Sequence, residues 1–190
     1  MSTEFDVAPL TPAGERLLDA AAQLFYRRGI RAVGVDLIAD VAGTTKKTLY
    51  DRFGSKDALV ALYLRRRAQR WQVFVRERIA STPPGSARLS AVFDALEEWL
   101  AEQDRGCAFV NAHAEIGGTD HPGVAVIRAE KAAMRALFTE LAVAAGLAGP
   151  EDLGAQLYLL YEGANVAVTA GGQADGIEQA RHAAVRLLDG

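Results

Sequence analysis

The sequence of 190 residues contains a single cysteine, Cys107, and this scarcity excludes two ways of reinforcing a fold. One thiol can form neither an internal disulfide nor the set of thiolates that a zinc finger requires. Hydrophobic residues make up 50% of the chain and charged residues 24%, a balance that excludes a disordered or low-complexity protein. We therefore expect a hydrophobic core to hold the chain together.

The sequence also has no long hydrophobic run. No stretch approaches the roughly 18 uninterrupted apolar residues of a membrane span. Residues 1–10 carry Glu4 and Asp6 and have neither the basic nor the apolar segment of a secretory signal. Segments in which apolar and polar residues alternate are missing as well, which argues against β-strands. We therefore expect a cytoplasmic protein that does not bind membranes.

Spacings typical of metal sites and catalytic sites are missing too. Cys107 and His113 lie six residues apart and do not share a helix face, and with Glu115 and His121 they complete no HExxH or CxxC pattern. A Cys–His nucleophile pair would need an orienting residue and an oxyanion site, and the sequence indicates neither. We predict no metal, no cofactor and no enzymatic activity.

What the sequence does contain is a succession of helical patterns. Glycine and proline divide it into segments whose apolar residues recur at helical spacing, which predicts an all-α fold of about nine helices. Thr11 and Pro12 begin the first segment and Gly29 ends it. The clearest linker is STPPGS at residues 81–86, because prolines and glycine cannot continue a helix. The last three segments are expected at about Pro122–Ala145, Pro150–Ala170 and Gly176–Leu188.

The net charge of −3 argues at first sight against a nucleic-acid partner, but it is the sum of two unlike parts. Residues 1–78 contain 14 Lys and Arg and 9 Asp and Glu, a net charge of +5, whereas residues 79–190 carry −8. A basic N-terminal part joined to an acidic body suggests that the first part meets an anion. A solvated helix face is an equally good explanation for its arginines Arg65, Arg66, Arg67 and Arg70.

Residues 35–53, with the sequence VDLIADVAGTTKKTLYDRF, contain the elements of a helix-turn-helix in order. Ala39 is small where two helices must approach, Gly43 supplies the turn, and Leu49 and Phe53 fall on the inward face. The second helix would then present donors suited to bases and phosphates. The candidates for DNA contact are Thr44, Thr45, Lys46, Lys47, Thr48 and Tyr50. The alternative is an ordinary helical hairpin with a polar outer face.

Residues 15–67 resemble the DNA-binding domain of the TetR/AcrR family of bacterial transcriptional regulators. The run AAQLFYRRGIRAVGVDLIADVAGTTKKTLYDRFGSKDALV is similar to the family signature, in which Phe, three residues and Gly precede the helix-turn-helix, and Leu-Tyr, Phe and a Ser-Lys pair follow it. The resemblance implies a three-helix helix-turn-helix domain in residues 1–56, a connecting helix in residues 57–80, and a helical effector-binding and dimerisation domain in residues 81–190.

The resemblance also implies roles for single residues. Lys46 and Lys47 occupy positions where family members read bases, whereas Thr45, Thr48 and Tyr50 occupy phosphate-contacting positions. Lys56 matches a basic residue that grips the DNA backbone.

The sequence departs from the family pattern at three positions. Gly34 stands where Thr or Ser usually caps the second helix, Thr44 replaces an apolar residue of the turn, and Lys47 replaces a common Gly. Asp51 would repel phosphate unless Lys47 pairs with it.

The remaining helices offer candidates for effector binding and for dimerisation, and both stay open to a second explanation. A ligand site is expected among Trp71, Phe93, Trp99, Phe109, Asn111, His113, Phe138, Tyr161, Glu162 and Asn165, with Glu115 as a further polar group. Plain core packing is the alternative for the aromatic residues. An apolar seam for a second copy is expected at Leu153, Leu157, Leu160, Gly163, Ala164, Ala167, Val168, Ile177, Ala180, Ala184 and Leu187. Such stripes would serve an internal core equally well.

We therefore expect a homodimeric transcriptional repressor that binds a palindromic DNA operator and is released by a small-molecule effector. The alternative from another class is a helical small-molecule binding protein that uses its N-terminal helices for protein contacts. Selection of DNA fragments by the protein would discriminate the two.

Overall fold

The computed structural model describes residues 5–103 and 105–188, and every regular element within them is a helix. This confirms the predicted all-α class and the predicted number of helices for the described residues. The helices are α1 (Pro12–Arg28), α2 (Val35–Val41), α3 (Lys46–Phe53), α4 (Lys56–Ala80), α5 (Ala87–Ala101), α6 (Ala108–Ile116), α7 (Gly123–Ala144), α8 (Pro150–Thr169) and α9 (Gly176–Leu188).

Local capping chemistry sets the ends of α1 as expected. Thr11 Oγ1 accepts a hydrogen bond from the Gly14 amide at 3.3 Å, and Pro12 follows at the first helical position. At the other end, the Gly29 amide donates to the Phe25 carbonyl at 3.0 Å. Gly29 has a φ of 89°, which only glycine adopts without strain, so the chain can leave the helix axis there.

The first compact unit comprises the chain up to Arg70 together with Ala108–Ala129. It contains α1, α2, α3, the first part of α4, α6 and the beginning of α7. Helix α1 packs against α2 and α3, and the Phe25 and Tyr63 rings lie 5.8 Å apart between their centroids. The fully buried side chains of this unit include Leu17, Leu18, Ile38, Leu49, Leu59 and Leu64.

The second compact unit comprises Trp71–Cys107 and the chain from Glu130 onward. Helix α9 packs against both α8 and α5. The core of this unit is apolar and rich in aromatic rings, and Phe93, Phe138 and Met134 are fully buried within it. The predicted domain limits at residues 56 and 80 separate regions by their function, and this assignment stays a prediction.

Among the described residues, no helix combines the length and the apolar character that crossing a bilayer would require.

Candidate nucleic-acid interface

The turn between α2 and α3 has the geometry that its sequence predicts. Helix α2 ends at Val41, and the chain reverses through Gly43, which has a φ of 60°. The Gly43 amide donates to the Asp40 carbonyl at 3.1 Å, and the Thr44 amide donates to the Ala39 carbonyl at 3.0 Å. These bonds satisfy main-chain groups that the end of α2 would otherwise leave open, so the turn is tight and defined.

The start of α3 is capped by Thr45 rather than by its neighbour Thr44. Thr45 Oγ1 accepts a hydrogen bond from the Thr48 amide at 3.1 Å and lies 2.9 Å from the Thr48 hydroxyl oxygen. Thr45 and Thr48 both lie close to the N-terminus of α3, where the helix dipole favours an anion. Their hydroxyl groups are therefore partly engaged within the protein before any ligand binds.

The rotation of α3 about its axis is set by the residues that it buries. Leu49 and, on α2, Ile38 are fully buried, and Ala39, next to Ile38 in sequence, is buried as well, which fixes the inner side of the helix pair. Arg16 on α1 adds a contact that sequence reasoning missed, because its Nε donates to the Ala42 carbonyl at 3.2 Å. With its inner side fixed, α3 turns Lys46, Lys47 and Tyr50 outward, and all three are exposed.

Each lysine of this outer face is paired with an aspartate. Lys46 Nζ lies 3.2 Å from Asp36 Oδ2 on α2, and Lys47 Nζ lies 2.7 Å from Asp51 Oδ2 one turn along α3. More than half of every one of these four side chains is exposed, so water screens both pairs and each contributes little to stability. The lysines can therefore leave their partners for a phosphate or a base edge at small cost.

Lys56 and Gly34 lie at the starts of α4 and α2, and neither presents a side chain whose donors are all free for a simple phosphate contact. Lys56, the first residue of α4, is half-buried, and its Nζ donates to the Ile30 carbonyl at 2.7 Å. Gly34 stands at the N-cap of α2 and makes no side-chain cap, as its lack of a side chain requires. Arg52, an exposed residue of the last turn of α3, was not among the candidates, although its position in the basic helix could have indicated it.

The aromatic effector candidates of the second unit form one connected cluster. Between ring centroids, Trp71 lies 5.4 Å from Trp99 and 6.3 Å from Tyr161. By the same measure, Phe138 lies 5.8 Å from Tyr161 and 5.9 Å from Phe93. Of the other five candidates, Phe109, Asn111 and His113 lie on α6 in the first unit, and Glu162 and Asn165 lie on α8 in the second. The remaining polar group, Glu115, also lies on α6, and its carboxylate accepts main-chain hydrogen bonds.

Polar groups of α7 and α8 accompany this aromatic cluster. Lys131, which sequence reasoning missed, places its Nζ 2.8 Å from Glu162 Oε1 and 3.5 Å from Glu130 Oε2. Burial disfavours its charge, but the neighbouring carboxylates outweigh burial and hold the pKa of Lys131 well above its ordinary value. Asn165 is also buried, and its Oδ1 accepts no hydrogen bond from any described residue.

The residues expected at a dimer seam divide between the interior and the surface of the protomer. Leu153, Leu157, Ala164, Ile177, Ala180 and Ala184 are buried within the second unit, in agreement with the alternative of an internal core. Leu160, Ala167 and Val168 are half-buried, whereas Gly163 and Leu187 are exposed. Sequence reasoning did not include Leu159 and Val166, which are 68% and 47% exposed on α8. The helical spacing of apolar residues alone could not distinguish the buried side of these helices from the exposed side.

Comparisons with known proteins agree with this architecture. The family model described as "Bacterial regulatory proteins, tetR family" matches residues 17–63. A crystal structure of a TetR-family transcriptional regulator from Streptomyces coelicolor superposes with a TM-score of 0.86 at 30% identity, covering 94% of this chain and 95% of that one.

Two curated relatives match over shorter stretches. The transcriptional activator FasR of Mycolicibacterium smegmatis is 36% identical over 98 residues, which cover 50% of this chain and 45% of FasR. The transcriptional repressor KstR2 of Rhodococcus jostii is 51% identical over 49 residues, which cover 26% of this chain and 24% of KstR2. The matches thus span less than half the length of either curated relative. These proteins are transcriptional regulators rather than enzymes, and the chain belongs to the TetR family of bacterial transcriptional regulators.

Proposed function

We propose that the protein is a homodimeric repressor that binds a palindromic operator and leaves it when a small molecule binds the second unit. The observation that carries the proposal is the outer face of α3, where Lys46, Lys47 and Tyr50 are exposed because Leu49 is buried beneath them. A short helix held this way can enter the major groove, while α2 crosses the DNA backbone. Such a protein works beside the chromosome, in the cytoplasm.

Within this proposal, Lys46 and Lys47 read base edges and the residues around them hold the DNA backbone. A lysine donates to the acceptors of guanine or to phosphate, and the hydroxyl groups of Thr45, Thr48 and Tyr50 suit phosphate oxygens. Thr44 lies at the entrance to α3 and Lys56 at the start of α4, and we propose both as further contacts to the DNA backbone. Lys56 would use the ammonium donors that its bond to the Ile30 carbonyl leaves available.

The proposed dimer uses a surface that we call the α8–α9 face, defined by Leu159, Gly163 and Val166 on α8 and by Leu187 on α9. The three residues of α8 recur at i, i+4 and i+7, so they lie along one side of the helix. All four are exposed, and the row on α8 is the kind of apolar surface that marks a protein–protein contact. Apart from the neighbouring backbone of α8, no atom of the described residues lies within 4 Å of a Cβ built on Gly163, so a second helix can approach closely there.

The proposed effector binds among the aromatic cluster and the polar groups beside it. Trp71, Trp99, Phe138 and Tyr161 offer apolar contact, and Glu162 and Asn165 offer polar contact on α8. The buried Asn165 Oδ1 receives no hydrogen bond from the described residues, and burying such an acceptor costs free energy. A donor on the ligand would remove this cost. The effector must bind the DNA-free conformation more tightly than the DNA-bound one, because equal affinity for both would not shift the equilibrium between them.

Selection of genomic DNA fragments by the purified protein tests the proposal. We expect enrichment of one short palindrome with half-site centres about 34–36 Å apart, as a two-fold symmetric reader requires. A helical binding protein that uses its N-terminal helices for protein contacts would enrich no sequence.

A reporter gene behind the enriched palindrome gives the direction of regulation. Expression should fall when the protein is present and recover when its effector is added. A rise in expression would identify an activator and contradict the repressor proposal. The activator and repressor names of the two curated relatives leave that direction to this assay.

A further inference from the structure

The segment between α1 and α2 is held by a carboxylate from a distant part of the chain. After α1 ends at Arg28 and Gly29, the next two amides have no partner in a helix. The Ile30 amide donates to Glu115 Oε1 at 2.8 Å, and the Arg31 amide donates to Glu115 Oε2 at 2.7 Å. Each carboxylate oxygen thus accepts one amide, and hydrogen bonds to a charged acceptor are stronger than neutral ones.

The shape of the segment matches this carboxylate. A Cβ built on Gly29 would lie 3.0 Å and 3.2 Å from the two Glu115 oxygens, closer than an ordinary contact. Gly29 also has a φ of 89°, so a side chain there would be strained whatever the space. The carboxylate therefore occupies room that glycine leaves, and it contacts main chain rather than a replaceable side chain.

The same peptide is held from its other side by a residue of the proposed DNA interface. Lys56 Nζ donates to the Ile30 carbonyl at 2.7 Å and lies 6.0 Å from the centroid of the Phe25 ring. The Ile30 side chain is itself buried. Both main-chain groups of Ile30 are thus fixed, its amide by α6 and its carbonyl by the first residue of α4.

Helix α2 begins at Val35, five residues after Ile30, and it lacks a side-chain cap. Its N-cap residue is Gly34, which makes no side-chain hydrogen bond, although a side-chain cap typically contributes about 1 kcal/mol. The preceding segment is therefore a restraint at the start of α2 where a side-chain cap is missing, in addition to the packing of α2 against α1 and α3. We propose that Glu115 is a positioning residue for DNA binding, which sets the α1–α2 segment through the amides of Ile30 and Arg31.

The inference rests on the proposed DNA-binding function, and two variants of Glu115 test it. Glu115→Gln keeps the length of the side chain but offers one carbonyl oxygen, so one amide loses its acceptor. Glu115→Ala removes both acceptors. We expect affinity for the selected operator to fall about tenfold or more for alanine and less for glutamine. Glu98→Gln is the matched control, because Glu98 is an exposed carboxylate that pairs with the side chain of Arg78.

Amide hydrogen exchange of the DNA-free protein gives the readout that a general loss of stability would not produce. Exchange at Ile30 and Arg31 should accelerate in both Glu115 variants while the amides in the middle of α1 keep their rates. Gly29→Ala disturbs the same contact from the other side, so its cost in operator affinity should be smaller in the Glu115→Ala background than in the wild type.

The outcomes separate failure of this inference from failure of the proposed function. If wild-type protein selects no DNA sequence, the proposed function is wrong, and the inference falls with it. If wild-type protein selects an operator and Glu115→Ala binds it with the same affinity, the inference alone is overturned. Unchanged exchange at Ile30 and Arg31 in the variants would also overturn it, since the two hydrogen bonds would then not hold the segment.

Discussion

Lys47 and Asp51 form an ion pair across one turn of α3, with the lysine Nζ 2.7 Å from Asp51 Oδ2. This is the condition under which an aspartate on a DNA-facing helix can be tolerated, because the lysine offsets its charge. The pair is well exposed, so it holds the two side chains weakly and can open when DNA arrives. In the proposed interface, Asp51 therefore limits how much of the Lys47 charge is available to DNA.

We expect Asp51→Asn to bind DNA several-fold more tightly, because the change removes a negative charge and releases Lys47 toward phosphate. The slope of log affinity against log salt concentration should steepen by about one unit if Lys47 gains a phosphate contact. Fluorescence anisotropy of labelled operator across salt concentrations measures both quantities. Unchanged affinity and slope would mean that Asp51 and Lys47 lie away from the DNA.

Lys46→Ala tests whether this lysine reads a base. Its Nζ is held by Asp36 at 3.2 Å on the outer side of the helix pair. If it donates to a base edge, the variant should lose about 1–3 kcal/mol on the operator and accept more sequences at one position. Equal losses on operator and on random DNA would instead identify a phosphate contact. Asp36→Asn is a useful companion, since it frees Lys46 without removing it.

Leu159→Glu tests the α8–α9 face. A charge at this exposed position should not disturb the protomer but should prevent a second copy from covering it. In sedimentation experiments, we expect about twice 20.3 kDa for the wild type and 20.3 kDa for the variant. Val143→Glu is the matched control, because Val143 is an exposed apolar residue of α7 that lies outside this face. A variant that remains dimeric would place the interface elsewhere.

Glu15→Gln tests the pH dependence that Arg66 creates. The Arg66 guanidinium donates to both oxygens of Glu15, and these hydrogen bonds lower the pKa of that carboxyl. A lowered folded-state pKa gives stability that is present above the unfolded-state pKa and is lost as pH falls through the folded-state value. Between about pH 5 and pH 3, the wild type should therefore lose more stability than the variant. Urea unfolding at several pH values measures the difference, and parallel curves would contradict the assignment.

The two tryptophans of the chain, Trp71 and Trp99, make the effector site accessible to a direct measurement. The centroids of their rings lie 5.4 Å apart in one aromatic cluster, so selectively excited tryptophan fluorescence reports on that cluster alone. An effector that releases the protein from DNA should change this fluorescence at the same concentrations. Trp99→Phe should keep the release but weaken the signal. Release without a fluorescence change would locate the effector outside the cluster.

Local sequence chemistry was sufficient for much of the fold. The caps at Thr11 and Ser55, the glycine turn at Gly43 and the proline at the start of α8 each act over three or four residues, so their effect can be predicted from neighbours alone. The last three helices accordingly lie within about one residue of their expected limits. The inward position of Leu49, and with it the outward position of Lys46 and Lys47, follows from helical spacing in the same way.

The sequence by itself determined the helical class, the helix-turn-helix and the charge difference between its two parts, because each depends on spacing, capping or counting. Only the tertiary structure decided which apolar stripe is interior and which is surface, since Leu157 and Leu159 are both apolar residues of one helix and only packing buries the first. It alone joined Glu115 to Ile30, 85 residues apart. A contact of that kind depends on how helices and the segments between them pack, and no periodicity along α6 or near Ile30 predicts it.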